Sequence, residues 1–290
     1  MQSLLYVTGP WSMSIIKRIT SVLIIFFISA TTQAQTLIPE LSFRNPVLQT
    51  GQGLRESGQD GAVYIFEQVG FEMDAVVTIL GRSSEQVHLS NMDINGPVKD
   101  SDSGTGDEDA WQPQIVYGDG TVQGKKDWWM EFIISFVKHE DHQQPAAVNQ
   151  FYVSGLDIDG DGKELHEYQS YYKTQSFTLE HETGIFASAV QGSELDPMLD
   201  GKRFDGTTKD YPGISMTAED AIVRNFYTGS SSMIVRLGAE TGPSGSMAGK
   251  RMYGLLFRSM LIDVPQTGKT DVYFLADARG LRMTKMYFQF

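Results

Sequence analysis

Apolar residues along this chain recur in short blocks and not on a helical period. "GAVYIFEQV" (61–69), "DAVVTIL" (74–80), "PQIVYG" (113–118), "WWMEFIISFV" (128–137) and "NQFYVSGLDI" (149–158) are rich in β-branched and aromatic side chains, and clusters of Gly, Asp, Asn and Pro separate them. Blocks of this composition between turn-forming residues predict strands. "QSFTLEH" (175–181), "AIVRNFYT" (221–228), "SSMIVRLGAE" (231–240), "RMYGLLFRSML" (251–261), "DVYFLAD" (271–277) and "MTKMYFQF" (283–290) continue the series. A turn or two of helix is expected only at "TAEDAIVRN", where Thr217 is placed to cap Glu219 and Asp220.

The fold class this predicts is all-β: a two-sheet antiparallel β-sandwich, jelly-roll-like, built as a single domain over residues 35–290. There is no tandem repeat at a fixed period, and no Pro- or Ser-rich linker divides the domain. Two polar, turn-rich segments, residues 93–110 and 191–213, are expected to be long loops.

The N-terminus changes the picture of where the chain works. Lys17 and Arg18 precede the apolar run "ITSVLIIFFISA" (19–30), and "TTQAQ" follows. This is the order of a secretory signal, giving residues 1–34 as a signal peptide with cleavage after Ala34 and Met13 as an alternative start. A run of 12 apolar residues is short for a bilayer-spanning helix, so no membrane span is expected in the mature chain. The expected location is exported, extracellular or at the cell surface, with the periplasm as the alternative.

Charge and cysteine content then narrow the chemistry. The formal charge of −13 becomes −15 once Lys17 and Arg18 are removed, since residues 1–34 contain no acidic residue. Such a surface disfavours nucleic acid and favours divalent cations and neutral ligands. With no cysteine, disulfides, thiolate metal sites and a thiol nucleophile are excluded.

The densest chemical signal is "FYVSGLDIDGDGKELHEY" (151–168). Asp157, Asp159 and Asp161 stand at alternate positions and run into Gly162, as in the first half of the helical calcium loop, D-x-D-x-D-G. The match then fails, because position twelve is Tyr168 and Glu167 falls one place early. The flanks are also strand-like, so an EF-hand is not expected. Two readings stay open: a β-sandwich calcium site using Asp157, Asp159 and Asp161 with Glu164 or Glu167, or an acidic turn whose carboxylates cap backbone N–H groups.

"GAVYIFEQVGFEMDAVVTI" (61–79), "WQPQI" (111–115), "MEFIISFV" (130–137) and "FYVSGLDIDGDGKELHEY" (151–168) occur in an order that resembles a β-sandwich module of large exported, surface-associated bacterial proteins of Bacteroidetes type, called adhesin-like. The resemblance covers about residues 61–168 and implies a sandwich fold and a surface location. It marks Asp74, in "MDAVVTI", and Asp157 and Asp159 as polar motif positions, and it raises the expectation that Asp74 approaches the Asp157 cluster across strands.

Enzyme signatures fit poorly. "KHEDH" (138–142) spaces His139 and His142 three apart, where a zinc-protease helix needs four. "GPSGSMAGKR" (242–251) has Ser244 where a phosphate loop needs its first Gly, and Arg251 where it needs Ser or Thr. No G-x-S-x-G is present. Glu131, Asp157 and Glu167 are the carboxylates that folding could pair for glycoside hydrolysis. Trp111 and Trp128 are candidates for stacking on a sugar ring. Adjacent Trp128 and Trp129 must point to opposite faces of a strand, which puts one of them in the core. "MTKMYFQF" suits a last sandwich strand better than a membrane-barrel strand.

The expected function is therefore an exported, calcium-stabilised, non-catalytic module that recognises a cell-surface glycan or protein. The metal ligands would be Asp157, Asp159, Asp161 and Glu167, with Asp74 as a further candidate. The alternative is a carbohydrate-active hydrolase using a carboxylate pair. A third class, a subunit that assembles through its edge strands, would show long uncovered edges.

Overall fold

The structure is a computed structural model that describes residues 38–94, 104–260, 262 and 265–269. The expected signal peptide and the strands expected over 271–277 and 283–290 lie outside the described residues, as does the 95–103 part of the acidic loop.

The strands in chain order are β1 (Val47–Leu48), β2 (Val63–Gly70), β3 (Met73–Arg82), β4 (Val87–Asn91), β5 (Gly104–Thr105), β6 (Gln114–Tyr117), β7 (Lys126–Lys138), β8 (Asp141–Pro145), β9 (Val148–Leu156) and β10 (His166–Tyr172). They continue as β11 (Ser176–Glu180), β12 (Phe186–Gln191), β13 (Asp200–Asp205), β14 (Gly213–Ile214), β15 (Val223–Ser230), β16 (Ser232–Thr241), β17 (Lys250–Met252), β18 (Gly254–Leu256) and β19 (Pro265–Lys269). The larger antiparallel sheet runs β1-β2-β3-β7-β16-β10-β13-β12, with β8 returning on β7; the second runs β18-β9-β15-β11-β19. A small sheet β17-β6-β4 and a short parallel pair β5/β14 complete the description. The protein is all-β, its sheets antiparallel and not closed into a barrel, as the block pattern predicts. Among the described residues no helix is long and apolar enough to cross a membrane.

The period-two rule explains which residues face inward. Along β3, Ala75, Val77 and Ile79 are buried while Val76, Thr78 and Leu80 are half-buried. β7 does the same with Trp128, Met130, Phe132, Ile134 and Phe136 inward. The two sheets meet through aromatic rings. Phe136 of β7 lies edge-on to Phe151 of β9 at 5.3 Å, and Phe204 of β13 lies edge-on to Phe177 of β11 at 5.1 Å. Each such ring, fully withdrawn from water, contributes about 1.5–3 kcal/mol.

Four expectations need correction. The 191–213 segment is not one long loop, because Asp200–Asp205 forms β13, hydrogen-bonded on both sides. "HEYQSYY" (166–172), passed over as strand, is β10 and is buried from Glu167 onward. "RMYGLLF" is not one strand: the chain leaves β17 at Met252 and enters a different sheet at Gly254 as β18. The helix near "TAEDAIVRN" shrinks to a single 3-10 turn, Glu219–Ala221, with Ala218 and not Thr217 at its cap position. There the Ser215 hydroxyl accepts the Thr217 and Ala218 N–H groups, which leaves Thr217 no capping task.

Candidate functional site

The "DIDGDG" turn begins where β9 ends and closes where β10 starts. Its path is set by backbone contacts on both sides. Ile158 N–H donates to Ala221 O at 2.9 Å, Gly160 N–H to Lys209 O at 2.7 Å, Gly162 N–H to Thr208 O at 2.7 Å and Glu167 N–H to Asp159 O at 2.6 Å. Asp157 takes a left-handed conformation, φ 56°, which Asp tolerates better than most residues. The 205–210 segment lies so close that glycine is required on both segments. A Cβ on Gly160 would press into Leu165 O and come within 2.6 Å of Thr208 Cα, and one on Gly206 would press into Ile158 O.

This turn sinks its acidic side chains. Asp157, Asp159 and Glu167 are 3%, 1% and 1% exposed. Arg251, on β17, enters the cluster as its cation: Nη2 donates to Asp159 Oδ1 at 2.6 Å and to Gly160 O at 3.0 Å, while Nε donates to Glu167 Oε1. Tyr211 N–H donates to the other Asp159 oxygen at 2.7 Å. Among the described residues, Asp157 Oδ1, Glu167 Oε2 and the Tyr253 hydroxyl are buried without a hydrogen-bond partner. Tyr253 feels the charges of Glu167, Arg251 and Asp159, so it faces the same cluster.

The electrostatics follow from burial. Desolvation, then the charges of Asp159 and Glu167, push the Asp157 carboxyl up to about 9, against one backbone N–H bond from Ser215 and the Arg251 charge. Burial also raises Asp159 and Glu167, and Arg251 only partly offsets it. Burial alone would lower the Arg251 guanidinium, but the charges of Glu167 and Asp159 outweigh it and hold the group protonated. One guanidinium thus serves three buried carboxyl groups.

Asp161 does a different job. Its Oδ1 accepts the Lys163 and Leu165 N–H groups at 2.9 and 3.0 Å, and its Oδ2 accepts the Ser246 hydroxyl at 2.6 Å. Burial opposes ionisation there, but the Ser246 and backbone bonds win and the carboxyl lies below its ordinary range. Glu164 accepts the Ser244 N–H and hydroxyl at 2.8 and 3.0 Å. The "GPSGSMAGKR" segment, which fails as a phosphate loop, therefore docks on the acidic turn through Ser244, Ser246 and Arg251. No motif in this segment announces that role, and only the excess of acid in "DIDGDGKE" signals that a cation must come from elsewhere in the chain.

Asp74 belongs to a second cluster with other partners. It is fully buried on β3; its Oδ1 accepts the Gln68 N–H at 2.7 Å and bonds His139 Nδ1 at 2.8 Å, and its Oδ2 bonds His142 Nε2 at 2.7 Å. Desolvation would raise this carboxyl, but the Gln68, His139 and His142 bonds hold it below its ordinary value, and the His139 imidazole is raised in turn. "KHEDH" thus supplies two imidazoles to one carboxylate and fastens the β7–β8 hairpin.

The remaining candidates separate. Glu131, also fully buried, bonds Arg236 at 2.7 Å and accepts the Glu194 N–H at 2.6 Å, so it is held by a different arginine from Asp157 and Glu167. Trp111 and Trp128 are both 0% exposed and offer no ring face at the surface. Trp129 is the half-buried one of the adjacent pair and lies against the Arg236 guanidinium at 4.0 Å. His166, Asp205 and Glu240 bring ligand atoms within 4.8 Å of one another across β16-β10-β13. Arg203 already sits among them, at 2.6 Å from Asp205, 2.5 Å from Glu240 and 3.5 Å above the Tyr168 ring. No protein-family model and no curated protein matches the chain.

Proposed function

We propose that this chain is an exported, surface-associated binding module of adhesin-like type, which recognises a cell-surface glycan or protein and catalyses no reaction. The observation that carries this reading is the sequestration of Asp157, Asp159 and Glu167, each at most 3% exposed, with Asp159 and Glu167 bonded to Arg251. A hydrolytic carboxylate pair must touch both a glycosidic oxygen and the sugar; these groups instead join the β9 end, the β10 start and the 242–251 loop. The test is incubation of residues 35–290 with immobilised cell-surface glycans and with whole cells. Retention without release of reducing ends supports the module. Release of reducing ends that Asp157→Asn abolishes identifies the rival hydrolase and overturns it.

In this reading a calcium ion reinforces the turn. Three carboxylates against one guanidinium carry an excess of two negative charges when ionised, which one divalent cation offsets. Asp157 Oδ1 and Glu167 Oε2 are the cluster's oxygens without a partner among the described residues, and Asp159 and Asp161 hold the surrounding shape. A second reading is favoured by Arg251 and the raised carboxyl groups: the excess charge is removed by protons, with Arg251 as the cation the described residues supply. Thermal unfolding in calcium and in chelator separates the two. A midpoint raised by calcium in the wild type but not in Asp157→Asn supports the ion, and identical midpoints in both media support the proton-held cluster.

A further inference from the structure

We infer that the chain self-associates through its β12 edge, two copies pairing β12 antiparallel about a two-fold axis to extend the larger sheet from one molecule into the next. β12 is the last strand of that sheet and, among the described residues, pairs only with β13. A free sheet edge is a template for another strand, and proteins that stay apart blunt it with short length, charge or proline. The other edges here carry such devices. β1 has two residues and β18 three; β8 reads "DHQQP", with Asp141 and Pro145; β19 opens on Pro265; β17 has three residues with Lys250 exposed; and β4, "VHLSN", is broken by a register shift on β6 between Leu89 and Asn91. β12 has none. It runs "FASAVQ" for six residues, with Ile185 before it and Gly192 after, and no charged residue or proline from 185 to 192.

Two features fit a second copy of this chain as the occupant. Self-pairing lays a strand against itself, so any charge near its middle would meet a like charge, and in a chain of formal charge −13 a neutral strand is the segment that escapes this. The exposed apolar side chains also lie at opposite ends. Phe186, 60% exposed, opens β12, while Leu195 and Met198, 59% and 70% exposed, follow its end. Antiparallel pairing brings the start of one β12 beside the end of the other, so Phe186 of each copy meets the 192–199 segment of its partner. That segment is fixed for the purpose: Glu194 N–H donates to Glu131, and Arg236 Nη2 donates to Gly192 O at 3.2 Å. A two-fold, self-complementary contact of this kind closes as a dimer and does not propagate.

The test is sedimentation equilibrium of residues 35–290 at micromolar concentration, alone and as Ala189→Lys and Ala189→Glu. Ala189 is exposed near the middle of β12, so both variants keep the fold, checked by circular dichroism. The expected result is twice the chain mass for the wild type, the single mass for each variant, and recovery of the doubled mass on mixing the two. Amide exchange in residues 186–191 is expected to be slow in the wild type and fast in either variant alone. A monomeric wild type overturns the inference, which is also the result if another part of the same chain covers β12. A dimer that survives Ala189→Lys unchanged overturns it too, by placing the contact elsewhere.

Discussion

Arg251 is the residue on which the acidic turn depends. Removing it leaves Asp159 and Glu167 buried without their cation, and breaking one side of a buried ion pair costs about 3–5 kcal/mol. Arg251→Met is therefore expected to lower stability by that amount in urea unfolding, and a loss within error of zero would show that the cluster carries no structural load. Asp157 yields a signed pH dependence. Its carboxyl is raised to about 9 from the ordinary 3.8, so the folded state holds a proton that the unfolded chain has released over that interval. Its contribution is complete below the unfolded value and is lost as pH rises toward the folded one. In chelator, Asp157→Asn, which has no proton to lose, should gain on the wild type as pH rises from 5 to 9, by at most about 1.4 kcal/mol per pH unit. Unfolding curves at three pH values check this, and a difference independent of pH would remove Asp157 from the proton-holding set. Asp157, Asp159 and Glu167 were legible in the sequence as a cluster. Arg251 was not, because it lies 84 residues beyond Glu167 and no local pattern links the two segments.

At the scale of elements, the strands legible in the sequence are those whose apolar residues dominate: β2, β3, β6, β7, β9, β11, β15 and β16. Two of the missed ones, β10 and β13, bury polar groups where a core strand ordinarily buries apolar ones. β10 places Glu167, Gln169 and Ser170 inside, where Gln169 accepts the Tyr171 hydroxyl at 2.5 Å, so a buried strand reads as a polar run. β13 reads as a loop because Arg203 and Asp205 belong to it, and its burial comes from neighbours on both sides that no local pattern reveals. The β7–β8 hairpin is a different case, since β8 is exposed along its whole length and needs a fastener. That fastener is Asp74 with His139 and His142, ringed by Glu67, Glu140 and the Glu72 carbonyl, which accepts His139 N–H at 3.1 Å. The lowered Asp74 carboxyl contributes above about 3.8 and is lost as pH falls through its folded value. The raised His139 contributes fully below about 6.5 and is lost as pH rises through its own. Exchange of the 139–144 amides should therefore be slowest in mildly acidic solution and quicken toward alkaline pH beyond the intrinsic rate. Asp74→Asn should abolish that profile and cost about 1–3 kcal/mol.

At the scale of the whole molecule, the acidic surface and the neutral β12 edge pull in opposite directions. Two copies of residues 35–290, each of formal charge −15, repel one another, and nothing in "FASAVQ" supplies an ionic attraction in return. Association through that edge must then rest on strand hydrogen bonds and on the burial of Phe186, Leu195 and Met198, against a long-range electrostatic cost. Salt screens the cost and leaves the contacts. At about 0.01 M the Debye length is about 30 Å, so the repulsion spans the interface; at about 1 M it is about 3 Å and the repulsion is confined to touching groups. Dimerisation is therefore expected to strengthen as sodium chloride rises over this range, the reverse of an interface held by ion pairs. Sedimentation across a salt series measures the sign directly. The calcium proposed for the β9–β10 turn would act at far lower concentration and separately from β12, so Ala189→Lys should leave any calcium dependence of the unfolding midpoint as in the wild type while losing the dimer. A dimer that weakens with salt would mean that charged side chains hold the copies together, and the neutral edge would then have no part in joining them.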